Sequence, residues 1–99
     1  MAHIRIASPA ERDLRALRRL PDLQRIQDAI DALRREDQGL DIRPLEGRAP
    51  WRRLRDGNWR IIFRPLNADE VRDLGLRGRV YVVARVVNRR DLERAARGL

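Results

Sequence analysis

Apolar and polar positions alternate at the start of the chain. Ile4 and Ile6 fall between His3, Arg5 and Ala7, the period-2 pattern of a short opening strand. Ser8-Pro9-Ala10-Glu11 then marks a helix start: Ser8 can accept from the free backbone N–H groups, Pro9 fits the first helical position and Glu11 completes a capping box. Leu14, Leu17 and Leu20 recur at spacing three along one face of this helix. Pro21 and Asp22 interrupt it, and Leu23, Ile26, Ile30 and Leu33 give a second helix its apolar stripe. Gly39 is expected to end it. Two helices so close in sequence predict an antiparallel hairpin.

The period then changes. Asp41 to Pro50, with Pro44, Gly47 and Pro50, reads as a loop. Trp51 to Arg55 and Asn58 to Leu66 read as two strands joined by a turn at Asp56-Gly57, a pair of residues that tolerates positive φ. Asn67 to Gly78 reads as a long exposed turn, and Arg79 to Val87, rich in valine, as an interior strand. Asn88 to Leu99 returns to helical composition, with Leu92, Ala95 and Ala96 on one side. The pattern predicts one α+β domain over residues 1–99: an N-terminal strand, an antiparallel helical hairpin packed on a small mostly antiparallel sheet, and a short C-terminal helix.

Composition narrows the function. Ninety-nine residues suit a single domain, and the absence of cysteine removes disulfides and thiolate metal sites. The run from Val80 to Val87, broken by Arg85, is too short to span a membrane, and the first residues lack the apolar stretch of a signal peptide. A cytoplasmic location with no membrane partner is the expectation. All 23 basic residues are arginine, and their placement is uneven. Residues 1–38 hold 8 arginines against 7 acids, whereas residues 39–99 hold 15 against 8, so the excess lies almost wholly in the second half. Such a one-sided field favours nucleic acid, an acidic protein or an anionic surface.

Strand geometry locates the charge. Trp51, Arg53 and Arg55 share one strand face, and Arg60, Ile62 and Arg64 share a face opposite Trp59, Ile61 and Phe63, which suit the core. Hairpin pairing then sets Arg53 or Arg55 beside Arg60, with Arg85, Arg89 and Arg90 following at the end of the last strand. Converging guanidiniums suit a polyanion, because arginine forks pair bidentately with phosphate. The alternative is that each arginine pairs with a nearby acid such as Asp56, Glu46 or Asp91. A lone terminal histidine, His3, offers no acid/base pair or zinc site, and there is neither a phosphate-cradling glycine loop nor a nucleophile elbow. Trp51, beside a loop, is open to stacking on a base, whereas Trp59 and Tyr81 suit packing.

The order of elements resembles the RelE/ParE superfamily of type II bacterial toxins. So do the segment Arg43-Pro44-Leu45-Glu46-Gly47, the run from Trp51 to Arg64 and the ending Val86-Val87-Asn88-Arg89-Arg90-Asp91-Leu92. The resemblance covers nearly the whole chain. It implies a ribosome-dependent endoribonuclease that cleaves mRNA through attack of a 2′-hydroxyl, with no cofactor and no metal. Arg53, Arg60 and Arg89 then carry catalysis: Arg53 clamps the backbone in the region of the general base, Arg60 stabilises charge on the phosphate and Arg89 neutralises the leaving side. Arg55, Arg64, Arg85, Asn88, Arg90 and Trp51 are the RNA- and phosphate-binding candidates. Partners implied are mRNA on the ribosome and a cognate antitoxin with an acidic or amphipathic segment, through which the pair can also reach operator DNA. Two positions depart from the pattern: Asn88 stands where many members have histidine, and Glu93 where many have tyrosine. Asparagine cannot exchange a proton at neutral pH and glutamate is anionic beside phosphate. These departures give weight to the ParE-like branch, which poisons DNA gyrase by protein contact, and to a non-catalytic basic binding module.

Overall fold

A computed structural model describes all residues, 1–99. In chain order the elements are β1 (His3–Ile6), α1 (Ser8–Ala16), α2 (Asp22–Arg35), β2 (Asp41–Pro44), β3 (Arg52–Asp56), β4 (Trp59–Pro65), α3 (Ala68–Asp73), β5 (Val80–Asn88), a 3-10 turn (Arg89–Asp91) and α4 (Leu92–Arg97). The five strands form one sheet in the order β1-β5-β4-β3-β2, parallel between β1 and β5 and antiparallel elsewhere. This is the α+β arrangement expected from the periodicity.

Four local readings are corrected. The N-cap position of α1 is Ala7, so Ser8 already lies in the first turn and the Ser8–Glu11 capping box does not form. Glu11 instead places its charge in the first turn, where the helix dipole favours it. α2 ends at Arg35 with Glu36 in the left-handed conformation, rather than running on to Gly39. Asp41–Pro44, read as loop, is the edge strand β2, paired antiparallel with β3. Ala68–Asp73, read as turn, is α3, started by a capping box in which Asn67 accepts from the Glu70 amide and Glu70 accepts from the Asn67 amide.

The sheet has two unlike faces. On one, Ala10 of α1, Leu17 just beyond its end, and Ile26 and Leu33 of α2 lie against Leu54, Ile61, Phe63, Tyr81, Val83 and Val86, the main core. Phe63 and Tyr81 meet edge to face within it, centroids 5.4 Å apart. On the other, α4 covers only part of the sheet: Ala95 and Leu92 pack with Ile62, Val87, Leu45 and Trp51 in a small second cluster. The rest of that face is left open. No helix is long and apolar enough to cross a membrane.

A bulge couples the two faces. Ile62 pairs with Arg85 but Phe63 pairs with Val83, so Ala84 is an extra residue in β5. It shifts the alternation so that Val83 and Val86, an odd number of residues apart, both enter the main core. β1 has ended by this point, leaving the outer edge of β5 unpaired by a strand. Asp13 of α1 fills the gap: Oδ2 accepts from the Val86 amide at 2.8 Å and from Arg85 Nε at 2.8 Å, while Oδ1 accepts from Arg85 NH2 at 3.2 Å.

Glu70 ties α3 to the sheet. Its two oxygens accept from NH1 and NH2 of Arg64 at 2.9 and 2.8 Å. These bonds, with the Asn67 amide, lower its pKa from 4.5 to about 2. A carboxyl depressed in the folded state stabilises above its unfolded pKa, and that contribution is lost as pH falls through the folded value. Glu70→Gln is therefore expected to be less stable than wild type at pH 7, with the gap closing between pH 4.5 and 2, the two bounding pKa values. Denaturant midpoints of both proteins across that range check it; a gap independent of pH contradicts it.

Candidate nucleic-acid interface

The open face is built by the β3–β4 hairpin and its two flanking strands. Asp56 pairs with Trp59, so the connecting residues are Gly57 and Asn58, one position later than the sequence suggested. Gly57 has φ of 59°, at the first turn position, where a type II′ hairpin turn favours glycine. A Cβ there would come within 2.7 Å of the Arg25 guanidinium of α2. Arg25 in turn donates to Asp56 Oδ1 through Nε at 3.0 Å, and its NH2 lies 2.9 Å from the same oxygen, fixing the tip of the hairpin to the helical layer.

Register then aligns the charged side chains. Asp41 of β2 faces Arg55 of β3, which faces Arg60 of β4, which faces Val87 of β5. In the next row Arg43 faces Arg53, and Arg53 faces Ile62. Residues directly opposite in an antiparallel pair project from the same face, so Arg53, Arg55 and Arg60 stand together beside the α4 cluster. Arg89, at the start of the 3-10 turn, is placed by its own amide, which donates to Asn58 O at 2.8 Å. Its side chain is exposed.

Arg60 is the centre of this group. NH1 donates to the carbonyls of Gly57 at 2.9 Å and Trp59 at 3.0 Å, and no carboxylate pairs with it. Partial burial, followed by the charges of Arg55, Arg53 and Arg89, lowers its pKa, although it remains cationic. Arg55, Arg53 and Arg89 are thus within electrostatic reach of Arg60. Only Asp41 opposes them: Oδ1 accepts from Arg53 NH1 at 3.0 Å, while the Arg53 side chain is just 14% exposed. The hydrogen bond from Arg53 and the charges of Arg53, Arg43 and Arg55 hold the Asp41 carboxyl below its usual range.

The other candidates are disposed differently. Arg85 does not join the open-face group, because Asp13 takes its guanidinium at the β5 edge. Arg64 is likewise withdrawn by its bidentate pair with Glu70, and its guanidinium carbon lies 5.5 Å from the centroid of the Trp51 ring. Trp51, expected to be open to a base, is half-buried and packed on the second cluster with Ile62 and Val87. Asn88 accepts the Arg90 amide at 3.2 Å and so caps the 3-10 turn, while the Arg90 side chain is exposed. Glu93 lines a separate shallow cleft with Glu46, Arg48 and Arg97. The expected convergence of five or six arginines reduces to four: Arg53, Arg55, Arg60 and Arg89. The sequence reading missed Asp41 and Arg43 as site residues, because within β2 Ile42 is the one apolar position and Pro44 ends the strand.

Fold and open basic face together define a class: the chain has the fold of the RelE-type toxins. It is similar to the toxin of the DinJ–YafQ complex from Escherichia coli, at TM-score 0.67 and 14% identity over 93% of this chain and 98% of that one. The RelB–RelE antitoxin–toxin complex from Methanococcus jannaschii gives TM-score 0.60 and 22% identity over 91% and 95%. The toxin–antitoxin complex RelBE2 from Mycobacterium tuberculosis gives TM-score 0.56 and 26% identity over 88% and 96%. No protein-family model and no curated protein matches the sequence.

Proposed function

We propose that this chain is the toxin of a type II toxin–antitoxin pair and that it cuts mRNA on the ribosome. The observation that carries this reading is Arg60: half-buried, bonded only to carbonyls, and flanked by Arg53, Arg55 and Arg89. Clustering like charges costs free energy, and a phosphate backbone offsets that cost. The same geometry suits catalysis. Attack by a 2′-hydroxyl on the adjacent phosphate concentrates negative charge on the phosphorane oxygens, and preorganised guanidiniums stabilise that charge more than they stabilise the substrate. In this scheme Arg60 and Arg55 hold the phosphate, Arg53 borders the attacking sugar and Arg89 faces the departing 5′ oxygen.

The solved relatives are complexes with antitoxins, and a net charge of +8 suits an acidic partner. The antitoxin is expected to place its acidic segment over the arginine row and so block RNA. The test is purified protein added to ribosomes carrying mRNA and, separately, to the same mRNA alone. Cleavage is expected on the ribosome and little on bare RNA. Binding of bare RNA should weaken steeply with salt, by about 0.7 unit of log–log slope per phosphate contacted. Absence of cleavage in both samples, with inhibition of DNA supercoiling instead, assigns the chain to gyrase.

A further inference from the structure

The arginine row contains one carboxylate, and its two oxygens are used differently. Asp41 Oδ1 is held by Arg53 NH1 at 3.0 Å, and the same NH1 bonds the Asp41 carbonyl at 2.9 Å, so the side chain is fixed to its own strand. Oδ2 accepts no hydrogen bond: Arg55 NH1 stands 3.9 Å away. The side chain is 43% exposed on the open face. It shares a row with Arg55 and Arg60, and two strand spacings of about 4.8 Å separate its backbone from that of Arg60. In the reading above the phosphate rests on Arg55 and Arg60, in the row that Asp41 ends.

Asp41 is the one carboxylate whose charge bears on Arg60. Arginine cannot act as a base, Asn88 has no titrating group, and Glu93 lies in another cleft. Asp56 pairs with Trp59 and so projects from the helix-covered face, where Arg25 holds it, Glu70 and Asp13 are taken by Arg64 and Arg85, and Asp91 accepts from Arg94. We propose that Asp41 is the general base of the cleavage step, a role that rests on the nuclease reading above. Oδ2 takes the 2′-hydroxyl proton, and the 2′ oxygen forms a bond to phosphorus. The bond from phosphorus to the 5′ oxygen breaks, that oxygen takes a proton from water, and Asp41 later releases its proton to solvent. The products are a 2′,3′-cyclic phosphate and a 5′-hydroxyl, with no oxidation or reduction.

The charges around Asp41 set its working range. Arg43 on its own strand, Arg53 and Arg55 on β3, and Arg60 on β4 all favour the carboxylate. Arg25 and Asp28 of α2, with Asp56 of β3, line the cleft Asp41 borders on its other side. Asp41 is thus ionised at neutral pH, and cleavage should rise along an acidic limb below the usual carboxylate range, then level off.

Single-turnover cleavage of ribosome-bound mRNA by wild type, Asp41→Asn and Asp41→Glu tests this. Asp41→Asn is expected to lower kcat by about 10²–10⁴-fold, the range of general-base removal, with KM unchanged or lower because an anion has left a phosphate-binding face. Asp41→Glu should recover part of kcat, and the acidic limb should be missing in Asp41→Asn. Equal melting temperatures, or activity in the Glu variant, separate a chemical defect from misfolding. Full kcat in Asp41→Asn, or a loss confined to KM, overturns the base while leaving the nuclease. A wild type that does not cut overturns both.

Discussion

Replacing Arg60 with alanine is expected to reduce mRNA cleavage by about 10²–10³-fold, the usual cost of deleting one preorganised donor to a developing oxyanion, and to abolish growth arrest. The loss should fall on kcat more than on KM, because Arg53, Arg55 and Arg89 remain to hold the backbone. Stability should hardly change. Arg60 breaks no carboxylate pair when removed, and its departure relieves repulsion with Arg55, Arg53 and Arg89. The two carbonyls it leaves, on Gly57 and Trp59, lie at the hairpin turn, where water can replace it. Arg60→Lys should recover little, since an ammonium cannot hold two carbonyls and present a planar fork to phosphate at once. Cleavage kinetics with a thermal melt check this. An Arg60→Ala protein that folds and still cuts near the wild-type rate contradicts the placement of the site.

The second large effect is structural. Asp13→Ala should cost about 2–3 kcal/mol, since it strips a charge-assisted acceptor from two donors at once. The Val86 amide has no neighbouring strand to turn to, and the Asp13 side chain is only 17% exposed, so water does not readily substitute. Arg85 loses the partner that holds it away from the open face. For a domain of this size the melting temperature should fall by roughly 10–20 °C. Asp13→Asn should fall between the two, keeping an acceptor for the amide while losing the charge. Melting curves of the three proteins decide it; an unchanged Asp13→Ala melt means the β5 edge needs no such plug.

These two predictions mark where the sequence was and was not readable. The face carrying Arg60 was legible because Ile61 and Phe63, alternating with it, could only be core, and the hairpin turn limited the register to a choice of one residue. The fates of Arg64 and Arg85 were not legible. Arg85 meets a carboxylate 72 positions away, at a bulge that no local pattern announces. Arg64 meets Glu70 only because α3 exists, and a six-residue helix followed by a glycine-bearing turn has too little periodicity to declare itself. Its sole signal was Asn67 three residues before Glu70. β2 failed for a similar reason: one apolar residue, Ile42, between charged neighbours and a proline gains its strand state from pairing with β3. With β2 went Asp41, and with it the only carboxylate in the arginine row.

The most direct measurement is to induce the wild-type chain in a permissive bacterium and map the 5′ ends of mRNA on ribosomes. Growth arrest accompanied by new ends that recur with the codon period is the expected result. Growth arrest with intact mRNA contradicts the nuclease assignment, and unimpeded growth contradicts a toxin altogether.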